Sequence, residues 1–339
     1  VSEDDLDPIP PAEAVPLYLD HREPEVTEKT LLNHEYRLET FCEFCGEFGI
    51  ETLDELTPRD IHQFRSWRRR EGNVATVTLR GDLATLRVFL EFCADLNFVP
   101  DGMRERVKLP TIDRADEARD VKLPADRAED VLQYLERYEY ASRDHVIVAI
   151  LWHTGIRMGA LRALDVDDFD QEAQCLDLHH RPESDTLLKN GDAAERSIAV
   201  GDYYVGVLQD YIKNNRHSVT DDCGRRPLIS STHGRLSPTG IRDTVYRWTR
   251  PCQVGKDCPH GRDVEDCEAI NPKAASKCPS SRSPHGVRRG AITHHLRTGT
   301  PERVVSDRMN VSSDVLDQHY DRRTDREKME LRRDHLPDS

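Results

Sequence analysis

The chain has 339 residues, well beyond the roughly 150 of an average domain, so two units with separate cores are expected. Charged residues make up 33% and hydrophobic ones 37%, with no apolar run near the ~20 residues that cross a bilayer and no basic-then-apolar leader at the start. That excludes a membrane protein and implies a soluble, cytoplasmic one. The formal charge of −15 argues against a polyanionic partner in dilute buffer, but the acidic excess is spread along the chain, and 39 of the 48 basic residues are arginine, the other nine lysine. Such a surface suggests a salt-loving source, where a Debye length of ~3 Å screens the repulsion and leaves nucleic acid open as a partner.

Residues 1–15, "VSEDDLDPIPPAEAV", read as an acidic, proline-rich and poorly ordered lead-in. "TLLNHEYRLETFCEFCGEFGI" is helical, with Leu31, His34, Leu38, Phe41 and Cys45 near one face and stops at Gly46 and Gly49. In "LTPRDIHQFRSWRRREG" the spacing predicts a second helix with Thr57 as N-cap, Pro58 at its first position and Gly72 as its stop. "NVATVTLRGDLATLRVFLEFCADLNFVP" adds one or two more. No strand pattern appears, so residues 16–112 form a small helical bundle. Its basic stretch holds Arg65, Arg68, Arg69, Arg70, Arg80 and Arg87 with Trp67 among them, a candidate duplex-DNA contact or else a solvated helix face.

Residues 113–127 are charged, nearly without large apolar side chains, and read as a linker. The second unit, 128–339, opens with helices at "ADRAEDVLQYLERY" and "DHVIVAILWHTG". Strand-like runs at "QCLDLHH" and "ERSIAV" form a hairpin across "LLKNGDAAE", with Asn190-Gly191 as the turn signal. Helices return at 202–214 and 237–250, and again after a cysteine-rich stretch. The fold class is therefore mostly α (α+β), with one small antiparallel sheet.

In "HTGIRMGALRALDVDDF", Arg157, Leu161 and Leu164 share a helical stripe that faces inward. An inward arginine is either paired, here with Asp165, Asp167 or Asp168, or it lines a cleft awaiting an anion. "SPHGVRRGAITHHL" repeats the theme: Pro284 suits a helix start, and His285 lies one turn below Arg288, where free backbone N–H groups also favour an anion. Later, Ser312 or Ser313 caps a short helix on which Tyr320 follows Leu316 by four residues, beside Arg322, Arg323 and Arg326. Each feature alone has a bland reading, respectively an internal ion pair, a solvated face and a boundary tyrosine.

The ordered set is more specific. An arginine in a "TGIR" turn, a hairpin lysine, a His-x-x-Arg pair and a tyrosine some thirty residues on resemble the tyrosine recombinases, the phage-integrase and Xer-like family. The resemblance implies an N-terminal helical core-binding (SAM-like) domain and a C-terminal mixed catalytic domain. It also implies a site-specific recombinase or integrase acting through a 3′-phosphotyrosyl intermediate, and a homo-tetramer on two double-stranded DNA sites, without a membrane. Carried over, it makes Arg157, Lys189, His285, Arg288 and Tyr320 the catalytic set. It needs no metal or other cofactor for catalysis. Two positions depart from the pattern: an acidic residue is expected at Ala160 and a histidine or tryptophan at Val311. Arg289 stands where many members have a second histidine and is a candidate DNA contact. The departures keep a rival open, a DNA-binding regulator with impaired chemistry.

Cys252, Cys258, Cys267 and Cys278 crowd into residues 252–278. Their spacing misses the tight C-x₂₋₄-C hooks of ordinary zinc sites, and His260 adds a fifth ligand type. A structural zinc and a plain loop of reduced thiols both remain, as does a metal-dependent nuclease. Cys42 and Cys45, inside a helix with no second pair, read as core or surface thiols.

Overall fold

The computed structural model describes residues 6–71, 74–112, 122–319 and 329, and the chain divides into two units, 1–120 and 121–339. In the first, α1 (Pro11–Arg22) takes in the last five residues of the expected lead-in: Pro11 occupies the first turn, where its missing N–H costs nothing, and Ala14, Val15 and Tyr18 are buried. A helix so rich in acidic and proline residues hides its short apolar stripe. In α2 (Glu28–Phe48), Leu38, Phe41, Phe44 and Cys45 face the core. Gly46 lies within the helix, and Gly49 alone ends it, in the left-handed conformation at φ 72°.

Thr57 caps α3 (Pro58–Glu71) as predicted: its hydroxyl accepts from the Asp60 N–H at 3.3 Å while its own N–H donates to the Asp60 carboxylate at 2.9 Å. The expected stop, Gly72, lies outside the described residues. A single α4 (Thr76–Asp95) follows, then one turn, α5 (Met103–Arg106). Edge-to-face rings, Phe41 on Phe64 at 5.4 Å and Tyr18 on Phe89 at 5.5 Å, fill the core.

The second unit is built on α7 (Arg143–Thr154), buried from His145 to Trp152, with α6 (Ala125–Tyr138) packed on it. The expected linker ends early: Leu123 is buried, its N–H donates to the Gly286 carbonyl at 2.9 Å, and the helix begins at Ala125. A lone leucine in charged text gave no periodic signal. A short α8 (Met158–Ala163) precedes the antiparallel sheet β1 (Phe169–Asp170), β2 (Cys175–Leu178) and β3 (Arg196–Ala199), in which Leu176 faces Ile198 across the ladder.

Both predicted strands are present, but Asn190-Gly191 is not a two-residue hairpin turn. Residues 179–195 connect the strands, and within them the Gly191 N–H donates to the Leu188 carbonyl at 3.0 Å, placing Lys189 and Asn190 at the middle of a local turn. The signal marks a turn inside a long connection. Next come α9 (Asp202–Asp210), the ladder β4 (Ser230–Ser231) with β5 (Gly234–Arg235), and α10 (Pro238–Trp248). Residues 251–283 hold only short 3₁₀ turns. The chain then enters α11 (Pro284–Arg297), α12 (Glu302–Met309) and α13 (Ser313–His319).

Candidate active site

Four segments of the second unit come together, and three of them line one cleft. The first is the end of α7: Gly155 takes the left-handed conformation at φ 62°, and Arg157 becomes the N-terminal flank of α8 with Leu161 and Leu164 buried behind it. Asp165, Asp167 and Asp168, the local partners weighed for Arg157, are engaged elsewhere. Asp165 binds Arg225 and Arg235, each at 2.5 Å, Asp168 binds Arg181 at 2.5 Å, and Asp167 pairs with Arg226.

The second segment is the N-terminus of α11. The Ser283 hydroxyl accepts from the Gly286 N–H at 3.1 Å and Pro284 starts the helix, as the sequence reads. Arg288 is buried, 3% exposed, and its guanidinium reaches backbone: Nη1 donates to the carbonyls of Gly155 at 2.6 Å and Met309 at 2.7 Å. It therefore pins the end of α7 to the third segment, the α12–α13 turn, where Asn310 is left-handed at φ 49°.

The fourth is the β2–β3 connection. Lys189 is exposed, and the neighbouring Asn190 amide donates to the Asn310 side-chain oxygen at 3.3 Å, tethering the lysine's turn to the α12–α13 turn. His285, exposed on a first turn of α11 whose Pro284, Gly286 and Val287 are buried, has its pKa lowered by desolvation first and then by Arg289, Arg288, Lys189 and Arg157. Two of those cations share its helix, and two come from distant segments of the chain.

Arg196 and Arg308 were not singled out by the sequence. Arg196 donates from Nε to the Arg308 carbonyl at 3.0 Å and from Nη1 to Ala194 at 2.7 Å, while Arg308 reaches the Ala199 carbonyl at 2.7 Å. Burial, then Arg157 and Arg308, pull the Arg196 pKa down to about 10. Arg196 begins a strand with no motif around it, so no local signal could have found it. With Arg157, Asn190, Asn310 and Ser312 it lines a cleft of about 550 Å³. Behind it, the His153 ring stacks on Tyr204 with centroids 3.8 Å apart, and burial brings its pKa to about 4.

The two departures have structural contexts. Ala160 is buried in the core of this unit, and Val311, also on the cleft, packs with Ile292, Leu296, Val305, Met309 and Leu316. Neither side chain can hydrogen-bond. Tyr320 lies outside the described residues; α13 runs to His319 in the direction of the chain that carries it.

In the first unit, Arg68 is committed to structure: its Nε donates at 2.9 Å to Asp82, a carboxylate 3% exposed. Arg65 and Arg80 reach the carbonyls of Lys108 and Pro110 at 3.4 and 3.2 Å, Arg69 and Arg70 are exposed, and Arg87 is half-buried. Trp67 packs on Phe44 and Phe64 rather than standing out as a stacking platform. Among the described residues no three His, Cys, Asp or Glu side chains gather as a ready-made metal site, and no helix is long and apolar enough to cross a membrane. Cys45 is buried in the first unit's core and Cys42 lies half-buried beside it.

The first unit is helical and the second mixed, with Arg157, Arg196, Glu195 and Asp307 all lining its cleft. Two family models match: the phage integrase N-terminal SAM-like domain over residues 18–95, and the phage integrase family over residues 122–327. The chain belongs to the phage integrase family. It is 28% identical over 218 residues to the tyrosine recombinase XerC of Mycobacterium sp. (strain KMS), a match spanning 64% of this chain and 60% of the relative's length. Against the XerC of Mycobacterium tuberculosis (strain ATCC 25177 / H37Ra) the identity is 27% over 279 residues, 79% of this chain and 80% of the relative.

Among solved structures, the Tn1549 transposon integrase in complex with a circular intermediate DNA aligns at TM-score 0.68 and 15% identity, covering 96% of this chain and 99% of that one. A lambda integrase dimer bound to a COC′ core site aligns at TM-score 0.65 and 13% identity, covering 94% and 80%. At these identities the two structures speak for the fold.

Proposed function

We propose that this chain is a site-specific DNA recombinase or integrase that cleaves and rejoins double-stranded DNA in the cytoplasm through a 3′-phosphotyrosyl intermediate. The observation that carries the reading is the convergence of Arg157, Lys189, Arg288 and Arg289 on His285. Arg157 and Lys189 lie 128 and 96 residues from His285 along the chain, and a polyanion bound here would offset the repulsion among the cations.

In this reading the Tyr320 hydroxyl attacks the scissile phosphorus. A bond forms from its oxygen to phosphorus, the bond to the 5′-oxygen breaks, and the phenolic proton passes to His285. A depressed pKa keeps that imidazole neutral near pH 7 and able to accept a proton. Lys189 protonates the departing 5′-oxygen from its turn. Arg157 and Arg288 neutralise the non-bridging oxygens, and the backbone bonds of Arg288 hold its fork in place. The 5′-hydroxyl of another strand reverses the step, so no external energy source or catalytic metal enters. Arg289 and the basic first-unit residues Arg65, Arg69, Arg70, Arg80 and Arg87 would hold the duplex, and four chains on two sites would be the working assembly. The acidic surface fits a salt-loving host.

The test uses a nicked suicide duplex in magnesium-free buffer. A covalent 3′ adduct that disappears in Tyr320→Phe supports recombination. Tight binding with no adduct supports the second reading, a regulator with impaired chemistry, which the side chains of Ala160 and Val311 favour. Cutting that requires a metal and leaves no adduct supports a nuclease.

A further inference from the structure

Arg196 opens β3, and the strand's period of two puts it on the same face as Ile198, which is buried. Its partner across the ladder is Leu178, also buried. A cation at an inward strand position must recover its lost hydration from fixed partners or from an anion. Backbone carbonyls supply part of this: Nε donates to the Arg308 carbonyl at 3.0 Å and Nη1 to the Ala194 carbonyl at 2.7 Å. Arg308 returns the tie by donating to the Ala199 carbonyl at 2.7 Å, so both ends of β3 are fastened to the last turn of α12.

Carbonyls satisfy donors but carry no net charge. Glu195 and Asp307 line the same cleft, yet among the described residues neither forms an ion pair with Arg196, and the Glu195 carboxylate accepts from the His180 N–H at 2.7 Å. What acts on the Arg196 charge is burial, then Arg157 and Arg308, all of which lower its pKa. With Nε and Nη1 engaged, Nη2 has no acceptor among the described residues.

The cleft that Arg196 shares with Arg157 has a volume of about 550 Å³, and Val311 adds no donor to it. Asn310 lines it too, and its buried amide nitrogen finds no acceptor among the described residues. An anion seated beside the two guanidiniums turns their mutual repulsion into attraction and offers these nitrogens an acceptor.

We propose that Arg196 is a third guanidinium of the strand-transfer site, donating through Nη2 to a non-bridging oxygen of the scissile phosphodiester beside Arg157. The assignment rests on the recombinase reading above and adds a phosphate contact that the ordered motifs do not contain. The two backbone bonds of Arg196 hold its fork before DNA arrives, so charge developing on the phosphate meets a donor that needs no rearrangement.

The test is the rate of covalent 3′ adduct formation by the full chain on a nicked suicide duplex carrying either the native phosphate or a methylphosphonate at the scissile position. The methylphosphonate replaces one non-bridging oxygen by a methyl group and leaves the linkage uncharged. On the native phosphate Arg196→Ala should form adduct about 10²–10³-fold more slowly than the wild-type chain, with duplex binding in gel shifts nearly intact. On the methylphosphonate that gap should narrow by about tenfold or more, because no anion is left for the guanidinium to neutralise. Equal rates of the two chains on the native phosphate overturn the inference. An unchanged gap on the methylphosphonate also overturns it, by reducing Arg196 to a brace for β3, and so does a gap that narrows only when the neutral linkage sits at a neighbouring phosphate. Should Arg196→Ala fail to fold, Arg196→Gln, which keeps an amide donor, carries the same comparison. A wild-type chain that forms no adduct on the native phosphate overturns the recombinase reading itself, and this inference with it.

Discussion

Gly290 sits inside α11, two residues past Arg288, where helix propensity alone favours alanine by about 1 kcal/mol. A Cβ there would stand 2.2 Å from the Leu123 carbonyl oxygen and 2.7 Å from the Trp152 ring. An ordinary carbon–oxygen contact is about 3.3 Å, so the backbone at Leu123 must retreat by roughly 1 Å. Overpacking of this kind costs about 1–3 kcal/mol, and the retreat also strains the 2.9 Å bond from the Leu123 N–H to Gly286, worth about 1 kcal/mol. The clash outweighs the propensity gain, and Gly290→Ala should destabilise the second unit by about 2 kcal/mol.

Urea unfolding followed by intrinsic fluorescence measures this. With a slope of about 2–3 kcal/mol per molar, the midpoint should fall by roughly 0.7–1 M. Gly206→Ala, in α9 with nothing within 4 Å of the added carbon, is the control and should raise the midpoint slightly. A Gly290→Ala midpoint equal to or above the wild type would refute the docking of Leu123 on α11.

Four further outcomes are expected. Arg68→Ala leaves the buried Asp82 carboxylate, among the described residues, with Arg37 at 3.7 Å as its ion-pair partner, and should cost the first unit on the order of 3 kcal/mol in denaturant unfolding. Arg69→Ala should leave stability unchanged and instead lower the slope of log DNA affinity against log salt by about one; equal effects of the two variants would contradict the division between them. For His153 the folded pKa of about 4 lies below the unfolded value of 6.5, so the unfolded state takes up the proton first. Its stability contribution is complete above pH 6.5 and is lost as pH falls toward 4, about 2–3 kcal/mol that His153→Phe, which keeps the stack on Tyr204, should not lose when unfolding is compared at pH 7 and pH 4. Lys189→Ala should slow formation of the DNA adduct by about 10²–10⁴-fold while leaving duplex binding nearly intact, as gel-shift and adduct gels would separate.

Much of the architecture was legible because helices and caps are written locally. Thr57 and Pro284 announce α3 and α11, and the stripe of Leu38, Phe41 and Cys45 gives the buried face of α2. Turn chemistry was legible but ambiguous: Asn190-Gly191 specifies a tight turn without saying whether it closes the strands or sits in the middle of a longer connection. Helix α1 escaped notice because its apolar side chains are few and its prolines fall where the backbone tolerates them.

The candidate site was legible only as an ordered set of residue types. Spacing along the chain suggested Arg157, Lys189, His285 and Arg288, yet nothing local could tell that Arg288 is buried on the carbonyls of Gly155 and Met309, or that Arg196 enters the cleft from a strand. Periodicity of 3.6 or 2 residues reports which face of one element is apolar and says nothing of which element it meets. The amino-acid order by itself therefore determined the helices, the two main strands and the types of cation available. Only the tertiary structure decided which cations share one imidazole and which, like Arg68, are spent on a buried carboxylate, because those contacts join residues whose separation along the chain leaves no periodic trace.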